Sequence, residues 1–343
     1  MGVICAALAL TALWAAPFDP GAVRGALGHD EARAGALQTL ANLGLTELQV
    51  ARRAHLGAAV VVVAADVTLG HVDRVLAVRA AAALGGGPEV VDALVGLASG
   101  DGTPEAVALA REAARALSQR GEGGALVDAM RHADPEVRAL AAGAGAGGPS
   151  TQCATLMGDP WPMVRIAAAR GLIGYPEDTA CLAPALAPGP MRVRVAAARA
   201  AARAPVAALR DPLRQLAADI AAPLDARADA LVALAGLGDL DPARAVLTTH
   251  LAKGGIVPLA RGAVHAFARA GDTARLRAAL GSQDPSIQLA AARALAEVGD
   301  TDSVPALRAL LPDLDPHTRA ALREVLQRMA PEDLEDPARS DPE

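Results

Sequence analysis

The chain has 343 residues, and 52% of them are hydrophobic, which excludes disorder for most of its length. Aromatic residues make up only 1%, so the interior must consist of thin layers of Ala, Leu and Val, and the sequence offers few of the aromatic platforms on which single-stranded nucleic acids stack. The formal net charge is -6, and residues 331–343 contribute five of these negative charges, so the body lacks the positive field that attracts nucleic acids. We therefore expect no nucleic-acid partner.

The N-terminal segment Met1–Ala16 is mostly apolar and has no charged side chain. It is shorter than the roughly 20 residues that a membrane-spanning helix needs, so we expect no stable membrane insertion. Its length is typical of the apolar region of a signal peptide, and Ala15 and Ala16 offer small residues for cleavage, but its first residues include no Lys or Arg. We predict an exported, periplasmic protein; the alternatives are a first buried helix and a cytoplasmic location.

Two segments before residue 70 are predicted to be helical. Gly28–Gly44 has an acidic start, an arginine one turn later, Ala and Leu at helical spacing, and a glycine stop. The run Ala58–Ala65 contains four consecutive valines, and β-branched residues also suit a strand. Its helical surroundings favour a buried helix.

From residue 70 onward, a repeat of 27 to 34 residues is marked by arginines at a corresponding helix position. A period of about 30 residues is typical of one helical hairpin per repeat, in which each hairpin buries its apolar face against its neighbours. The sequence therefore predicts an all-α fold, a right-handed α-solenoid (superhelix) of about nine or ten helical hairpins over residues 17–330. The marking residues are Arg79, Arg111, Arg138, Arg165, Arg194, Arg227, Arg261, Gln288 in place of arginine, and Arg319.

Several of the repeats begin with Asp-Pro, as at Asp134, Asp284 and Asp315. The aspartate can accept hydrogen bonds from the free amides of the first helical turn, and proline fits the first position because no donor is needed there. Alanine runs follow these caps and allow helix axes to approach closely. Each unit is therefore predicted to be a capped, closely packed helix.

These motifs resemble HEAT repeats, most closely the short HEAT-like form of phycobilisome lyases. The residues that carry the resemblance are Asp134, Pro135, Val137, Arg138, Val164, Arg165, Asp284, Pro285, Val304, Pro305, Leu307, Leu310, Asp315, Pro316 and Arg319. The resemblance implies that the helices starting at Asp-Pro line a concave face. It also implies a structural ladder of aspartates and arginines between repeats, from which Gln288 departs. The ladder residues are Asp134, Arg138, Asp159, Arg165, Arg194, Asp284, Asp315 and Arg319.

Motifs that would indicate chemistry are weak. Gly143–Gly148 matches the glycine pattern of dinucleotide sites, but it lacks a preceding strand and an acidic residue about 20 positions later, so it is predicted to be a flexible turn. The histidines lack metal-ligand spacing. The di-iron deoxyhypusine hydroxylases, a HEAT-type enzyme class, use His-Glu dipeptides, whereas this sequence has only the pair His29-Asp30. We expect no catalytic residue, no metal and no cofactor.

Cys153 and Cys181 fall at near-equivalent places in adjacent repeats. In an exported protein they could form a disulfide between neighbouring helices, whereas in the cytoplasm they would be small buried hydrophobic residues. Both interpretations stay open at this stage.

The function that these features favour is a non-enzymatic, monomeric scaffold that binds a protein or peptide along the concave face. The alternative is a lyase-like or chaperone-like protein that holds a small molecule in the groove. Residues 331–343 are predicted to be a disordered acidic tail.

Overall fold

The computed structural model describes residues 18–43, 51, 56–85, 87–100 and 103–330. Among these residues the regular elements are α-helices and short 3₁₀ helices, and none is a strand, which confirms the all-α prediction. The valine run lies in the helix Leu56–Ala65. The predictions for Met1–Ala16 and for residues 331–343 lie outside the described residues. The chain divides into two compact units, Met1–Gly171 and Leu172–Glu343.

The residues that the structure describes in the first unit form five hairpins. Its helices are α1 (Pro20–Leu27), α2 (Asp30–Ala41), α3 (Leu56–Ala65), α4 (His71–Leu84), α5 (Pro88–Ala98), α6 (Pro104–Gln119), α7 (Pro135–Gly143), α8 (Gly148–Gly158) and α9 (Pro162–Gly171), with 3₁₀ helices at Gly123–Leu126 and Asp128–Arg131. The pairs are α1/α2, α3/α4, α5/α6, the 3₁₀ segment with α7, and α8/α9. The second helices of the pairs (α2, α4, α6, α7 and α9) stack in that order, and we call them the second layer of this unit. The first helices form the first layer.

The second unit repeats this arrangement. Its helices are α10 (Ala183–Leu186), α11 (Met191–Arg203), α12 (Arg210–Ala218), α13 (Leu224–Gly236), α14 (Asp241–Lys253), α15 (Val257–Ala270), α16 (Thr273–Ala279), α17 (Pro285–Glu297), α18 (Val304–Leu310) and α19 (Pro316–Met329), with 3₁₀ helices at Leu172–Gly174, Pro176–Leu182, Ala207–Leu209, Thr301–Ser303 and Leu311–Asp313. The hairpins are α10/α11, α12/α13, α14/α15, α16/α17 and α18/α19. The helices α11, α13, α15, α17 and α19 are its second layer. The described residues thus hold ten hairpins, in agreement with the predicted nine or ten.

The Asp-Pro steps begin helices in the way that the sequence predicts. The Asp134 side chain accepts hydrogen bonds from the amides of Glu136 and Val137, and proline occupies the first helical position. Asp315 accepts from the amides of His317 and Thr318 at the start of α19. Such N-caps stabilise a helix by about 1 kcal/mol each.

Several second-layer helices end in the same left-handed glycine turn. At the end of α15, the Gly271 amide donates to the Ala268 carbonyl, and the Asp272 amide donates to the Phe267 carbonyl at 2.9 Å. Gly271 has φ 67°, which a residue with a side chain rarely adopts. The other glycines at this position are Gly121, Gly145, Gly238 and Gly299.

The stretch Gly143–Gly148 is such a helix stop, because α7 ends at Gly143 and α8 begins at Gly148. Within it, the Ala146 carbonyl accepts a hydrogen bond from the buried side-chain amide of Gln152 at 2.7 Å. The stretch is therefore a turn between two helices, as the sequence predicts. Its flexibility stays a prediction.

Small residues set the distance between neighbouring helices of the same layer. In the second unit, a Cβ built at Gly262 of α15 would lie 2.7 Å from the Cβ of Ala228 in α13. Phe267 is fully buried among alanines and leucines of the same core. The packing therefore depends on Ala and Gly where the helices touch, with larger side chains filling the gaps between them.

Candidate functional site

Most second-layer helices carry an arginine four residues after the N-cap. Its side chain donates a hydrogen bond to a backbone carbonyl near the end of the first-layer segment that precedes the helix. Arg194 Nε donates to the Leu186 carbonyl at 2.8 Å, and Arg165 Nε donates to the Leu156 carbonyl at 2.7 Å. The last carbonyls of a helix have no partner within that helix. These side chains therefore act as C-caps supplied by the next helix. The same contact is made by Arg33, Arg74, Arg138, Arg227 and Arg319.

Gln288 occupies the same position in α17, and its side-chain amide donates to the Ser282 carbonyl at 2.8 Å. Gln288 therefore keeps the contact to the preceding carbonyl that arginine makes elsewhere, because one amide donor is enough to bind one carbonyl. Its departure from the Asp and Arg ladder between repeats stays a prediction.

The assignment of Arg79, Arg111 and Arg261 to this position was wrong. They lie nine, eight and five residues after the N-caps of α4, α6 and α15, respectively. Those helices do not begin at Asp-Pro, so no capping motif marked the start from which to count. Arginines recur along these helices, and the interval count therefore selected the wrong ones.

Part of the predicted ladder consists of contacts between successive hairpins. Arg138 Nε lies 2.8 Å from Asp159 Oδ2, and Arg111 Nε donates to Asp134 Oδ1 at 3.0 Å. Arg194 pairs with Asp219 at 2.7 Å. In each case the arginine binds an aspartate that precedes the next second-layer helix.

The remaining predicted ladder residues have local contacts. Asp284 and Asp315 cap their own helices, while Arg165 and Arg319 bind backbone carbonyls. These contacts account for the Asp and Arg pattern by helix termination and by stacking of hairpins. They are structural contacts and do not by themselves indicate a binding site.

Sequence reasoning missed a second series of ion pairs, in the first layer. Arg214 Nε lies 2.6 Å from Asp239 Oδ2, and Arg277 Nε donates to Asp300 Oδ2 at 2.8 Å. Both aspartates directly follow a left-handed glycine at the end of a second-layer helix. The recurring Gly-Asp step was the signal that could have identified them.

In the first unit, helices α2, α4 and α6 line an open depression of about 460 Å³. A chain of ion pairs runs beside it: Arg79 Nη2 lies 2.9 Å from Glu112 Oε1, which also binds Arg115 Nη1 at 2.8 Å. Arg115 continues the chain to Glu136 at 3.1 Å. The hydrogen bond from Arg79 lowers the pKa of Glu112, so this carboxylate stays charged and holds both arginines in place.

In the second unit, helices α11, α13 and α15 line a smaller depression of about 240 Å³. Asp229 Oδ2 is buried and lies 3.4 Å from Arg199 Nε, longer than an ordinary charge-assisted hydrogen bond. Burial raises the pKa of Asp229, although Arg199 opposes the shift. A second carboxylate, Asp225, lies in the lining together with Arg261 and His265. This depression therefore combines a poorly solvated carboxyl group with cationic side chains.

The buried pair His250 and Ser282 resembles a nucleophile and its base. His250 Nε2 lies 3.0 Å from Ser282 Oγ, and His250 Nδ1 accepts a hydrogen bond from the Gly255 amide at 3.2 Å. Because Nδ1 is the acceptor, the neutral ring carries its proton on Nε2 and donates to the serine. A general base would instead have to accept the serine proton. The geometry assigns the pair to the packing of α14 against the start of α17.

Other predicted features can be placed briefly. Cys153 lies in α8 of the first unit and Cys181 in the 3₁₀ helix Pro176–Leu182 of the second unit; their pairing stays a prediction. Throughout the part of the chain that the structure describes, no group of three or more His, Cys, Asp or Glu residues could hold a metal ion. In the same residues, no helix combines the length and apolar character needed to cross a membrane.

The family model described as "HEAT repeats" matches residues 273–338, which include α16 to α19. No curated protein matches the sequence. The matched segment contains the Asp-Pro caps at Asp284 and Asp315 on which the resemblance to HEAT repeats was based.

Solved structures give weaker likenesses. An engineered protein shares 18% identity, covering 91% of this chain and 99% of its own, with a TM-score of 0.33. Human deoxyhypusine hydroxylase in complex with glycerol shares 20% identity over 84% of this chain and 100% of its own, with a TM-score of 0.30. The complex of CpcE and CpcF of phycocyanin lyase from Nostoc sp. PCC7120 shares 16% identity over 80% of this chain and 94% of the matched chain, with a TM-score of 0.23. At TM-scores below 0.5, these likenesses support no statement about activity. The family match is confined to residues 273–338, and over these residues the chain is similar to HEAT repeats.

Proposed function

We propose that this chain is a non-enzymatic scaffold that binds a protein or peptide along the second layer of its helices. The observation that carries the proposal is the open depression of about 460 Å³ over α2, α4 and α6. Its lining combines apolar alanines, such as Ala82 and Ala83, with the ion-paired side chains of Glu112 and Arg115. A polypeptide segment suits such a surface because it offers both apolar side chains and hydrogen-bonding groups along its length.

The ion pairs beside the depression favour binding because they fix long side chains before a partner arrives. Glu112 is only 16% exposed and contacts two arginines, so these three side chains have lost much of their freedom already. Ordering such a side chain on binding otherwise costs about 0.5–1.5 kcal/mol. A pre-ordered surface therefore loses less free energy when it binds.

The test compares two alanine-to-arginine variants of the first unit. Ala83→Arg places a long charged side chain in the depression, whereas Ala58→Arg places the same side chain at an exposed position of the first layer. Cross-linking in the native host should link α4 or α6 to one protein. The yield of this link should fall at least about tenfold in Ala83→Arg and stay unchanged in Ala58→Arg. An equal yield in both variants contradicts the proposal.

A second candidate function is the binding of a small molecule, which the depression around Asp229 favours. A ligand with a hydrogen-bond donor could bind the buried Oδ2 of Asp229, and an anionic group could bind Arg199 or Arg261. Native mass spectrometry of protein purified from its host tests this candidate. A stoichiometric bound small molecule that Asp229→Asn removes would favour it over the scaffold function.

The proposal includes export, which rests on the apolar segment Met1–Ala16. Expression in the native host followed by fractionation tests it. N-terminal sequencing of periplasmic protein should begin after Ala15 or Ala16. Uncleaved protein confined to the cytoplasm contradicts this part of the proposal.

A further inference from the structure

The second layer of the second unit carries exposed arginines that form no salt bridge within the described residues. Arg203 ends α11, Arg269 lies in the last turn of α15, and Arg328 lies in the last turn of α19. Arg261 and Arg293 lie nearer the middle of α15 and α17. These five side chains form no ion pair with a carboxylate of the described residues, in contrast to Arg79, Arg111 and Arg115 of the first unit.

Three of these arginines, Arg203, Arg269 and Arg328, share one edge of the layer. Each hairpin reverses the chain direction, so successive second-layer helices run parallel and their C-terminal ends lie side by side. Arg203, Arg269 and Arg328 mark that edge, with Glu297 of α17 as a carboxylate among them. The same layer also carries the carboxylates of Asp225, Asp229 and Glu324. Arginines therefore outnumber acidic residues on it, but acidic residues are present. Exposed arginines without a salt bridge at neighbouring helix ends favour an acidic polypeptide.

The chain itself supplies an acidic segment that starts at this edge. Helix α19 ends at Met329, and residues 331–343 contain six acidic residues and one arginine. Four of the acids, Glu332, Asp333, Glu335 and Asp336, lie within six residues of Ala330. Thirteen extended residues reach roughly 40 Å. The distance from α19 to α11 is four helix spacings, or roughly 32–40 Å. Both charge and reach therefore match the arginine edge.

We propose that residues 331–343 lie across the C-terminal edge of this second layer and pair with Arg328, Arg293 and Arg269, and at full extension with Arg203. The segment then occupies the surface that an acidic partner would need, so such a partner must displace it. Each exposed pair contributes little, but tethering raises the effective concentration of the segment to the millimolar range, so several weak pairs suffice. The contact weakens with added salt because the pairs are exposed to solvent. This inference does not depend on the proposed binding surface of the first unit.

Proteolysis of the full chain provides the first test. A glutamyl endopeptidase cleaves after Glu332 and Glu335, and both sites are covered if the segment is docked. At low salt, cleavage in Arg269→Gln/Arg293→Gln should be about 3- to 10-fold faster than in the unchanged chain, and at high salt the two rates should converge. Arg192→Gln is the matched control, since Arg192 is exposed at the opposite end of α11. Equal cleavage in the double variant and the unchanged chain at low salt overturns the proposal.

A labelled peptide of residues 331–343 provides the second test, read by fluorescence anisotropy. The recipient is the full chain with Glu332→Gln, Asp333→Asn, Glu335→Gln and Asp336→Asn, whose own segment can no longer compete. It should bind the peptide about tenfold more tightly than the unchanged chain does. Equal binding to both chains would mean that the surface binds acidic peptides but is not covered by this segment, and it overturns the proposal. The absence of binding to either chain overturns it as well.

Discussion

The position four residues after a second-layer N-cap has one local task, which is to supply a donor to the carbonyls that end the preceding segment. In α17 this donor is Gln288, whose partner is the carbonyl of the buried residue Ser282. We predict that Gln288→Ala lowers the free energy of unfolding by about 1–2 kcal/mol, because a buried carbonyl loses its hydrogen bond. Urea unfolding measures the change, and Gln327→Ala on the exposed surface of α19 is the control. An unchanged midpoint for Gln288→Ala would show that the contact contributes nothing.

Asp300, which follows the left-handed Gly299, makes the free energy of unfolding depend on pH in the acid range. Hydrogen bonds from Arg277, and then from Ser303, hold the pKa of Asp300 below its ordinary value of 3.8, while burial opposes this shift. A carboxylate with a lowered folded-state pKa stabilises the fold above its unfolded-state pKa, and this stabilisation is lost as the pH falls through the folded-state pKa. We predict that Asp300→Asn lowers the urea midpoint at pH 7, and that its difference from the unchanged chain shrinks below about pH 4.

The control for this prediction is Asp302→Asn, because Asp302 contacts the same guanidinium of Arg277 but its side chain is 83% exposed. Its effect at pH 7 should be small, since exposed ion pairs contribute little. The prediction fails if Asp300→Asn differs from the unchanged chain by the same amount at pH 7 and pH 3.

At the scale of helices, the packing of α13 against α15 depends on one glycine. A methyl group at Gly262 would lie 2.7 Å from the Cβ and 2.8 Å from the Cα of Ala228, so the two helices would have to separate. We predict that Gly262→Ala costs about 1–3 kcal/mol of unfolding free energy, although alanine is the better helix former. Gly96 in α5 is exposed and has no atom within 4 Å of an added methyl group, so Gly96→Ala should stabilise by up to about 1 kcal/mol.

Thermal or urea unfolding of these two variants checks the prediction through its signs. The same chemical change should lower stability in α15 and raise it in α5. If both variants are stabilised, the helices of the second unit can separate at no cost, and the close approach does not limit their packing.

The sequence was sufficient for the helical elements and for their number, because a hairpin period of about 30 residues and the Asp-Pro caps are local signals. It was insufficient where a helix begins without such a cap, as α4 does after Gly70, and the position of Arg79 was therefore misassigned. The depressions could not be predicted, since Arg79 and Glu112 are 33 residues apart and meet only when α4 stacks on α6. Likewise, the raised pKa of Asp229 depends on burial by neighbouring helices, which no local pattern reports.

At the scale of the whole molecule, the compartment and the cysteine pair make one joint prediction. If the chain is exported as proposed, Cys153 and Cys181 meet an oxidising environment in which a disulfide persists. We predict that alkylation of denatured, unreduced protein from the periplasm leaves both cysteines unlabelled, and that reduction exposes both. In the variant Cys153→Ser, alkylation should label Cys181 without reduction, which controls for burial and for other oxidation products. Equal labelling of Cys153 and Cys181 with and without reductant in the unchanged, periplasmic chain would contradict the pairing while leaving export intact.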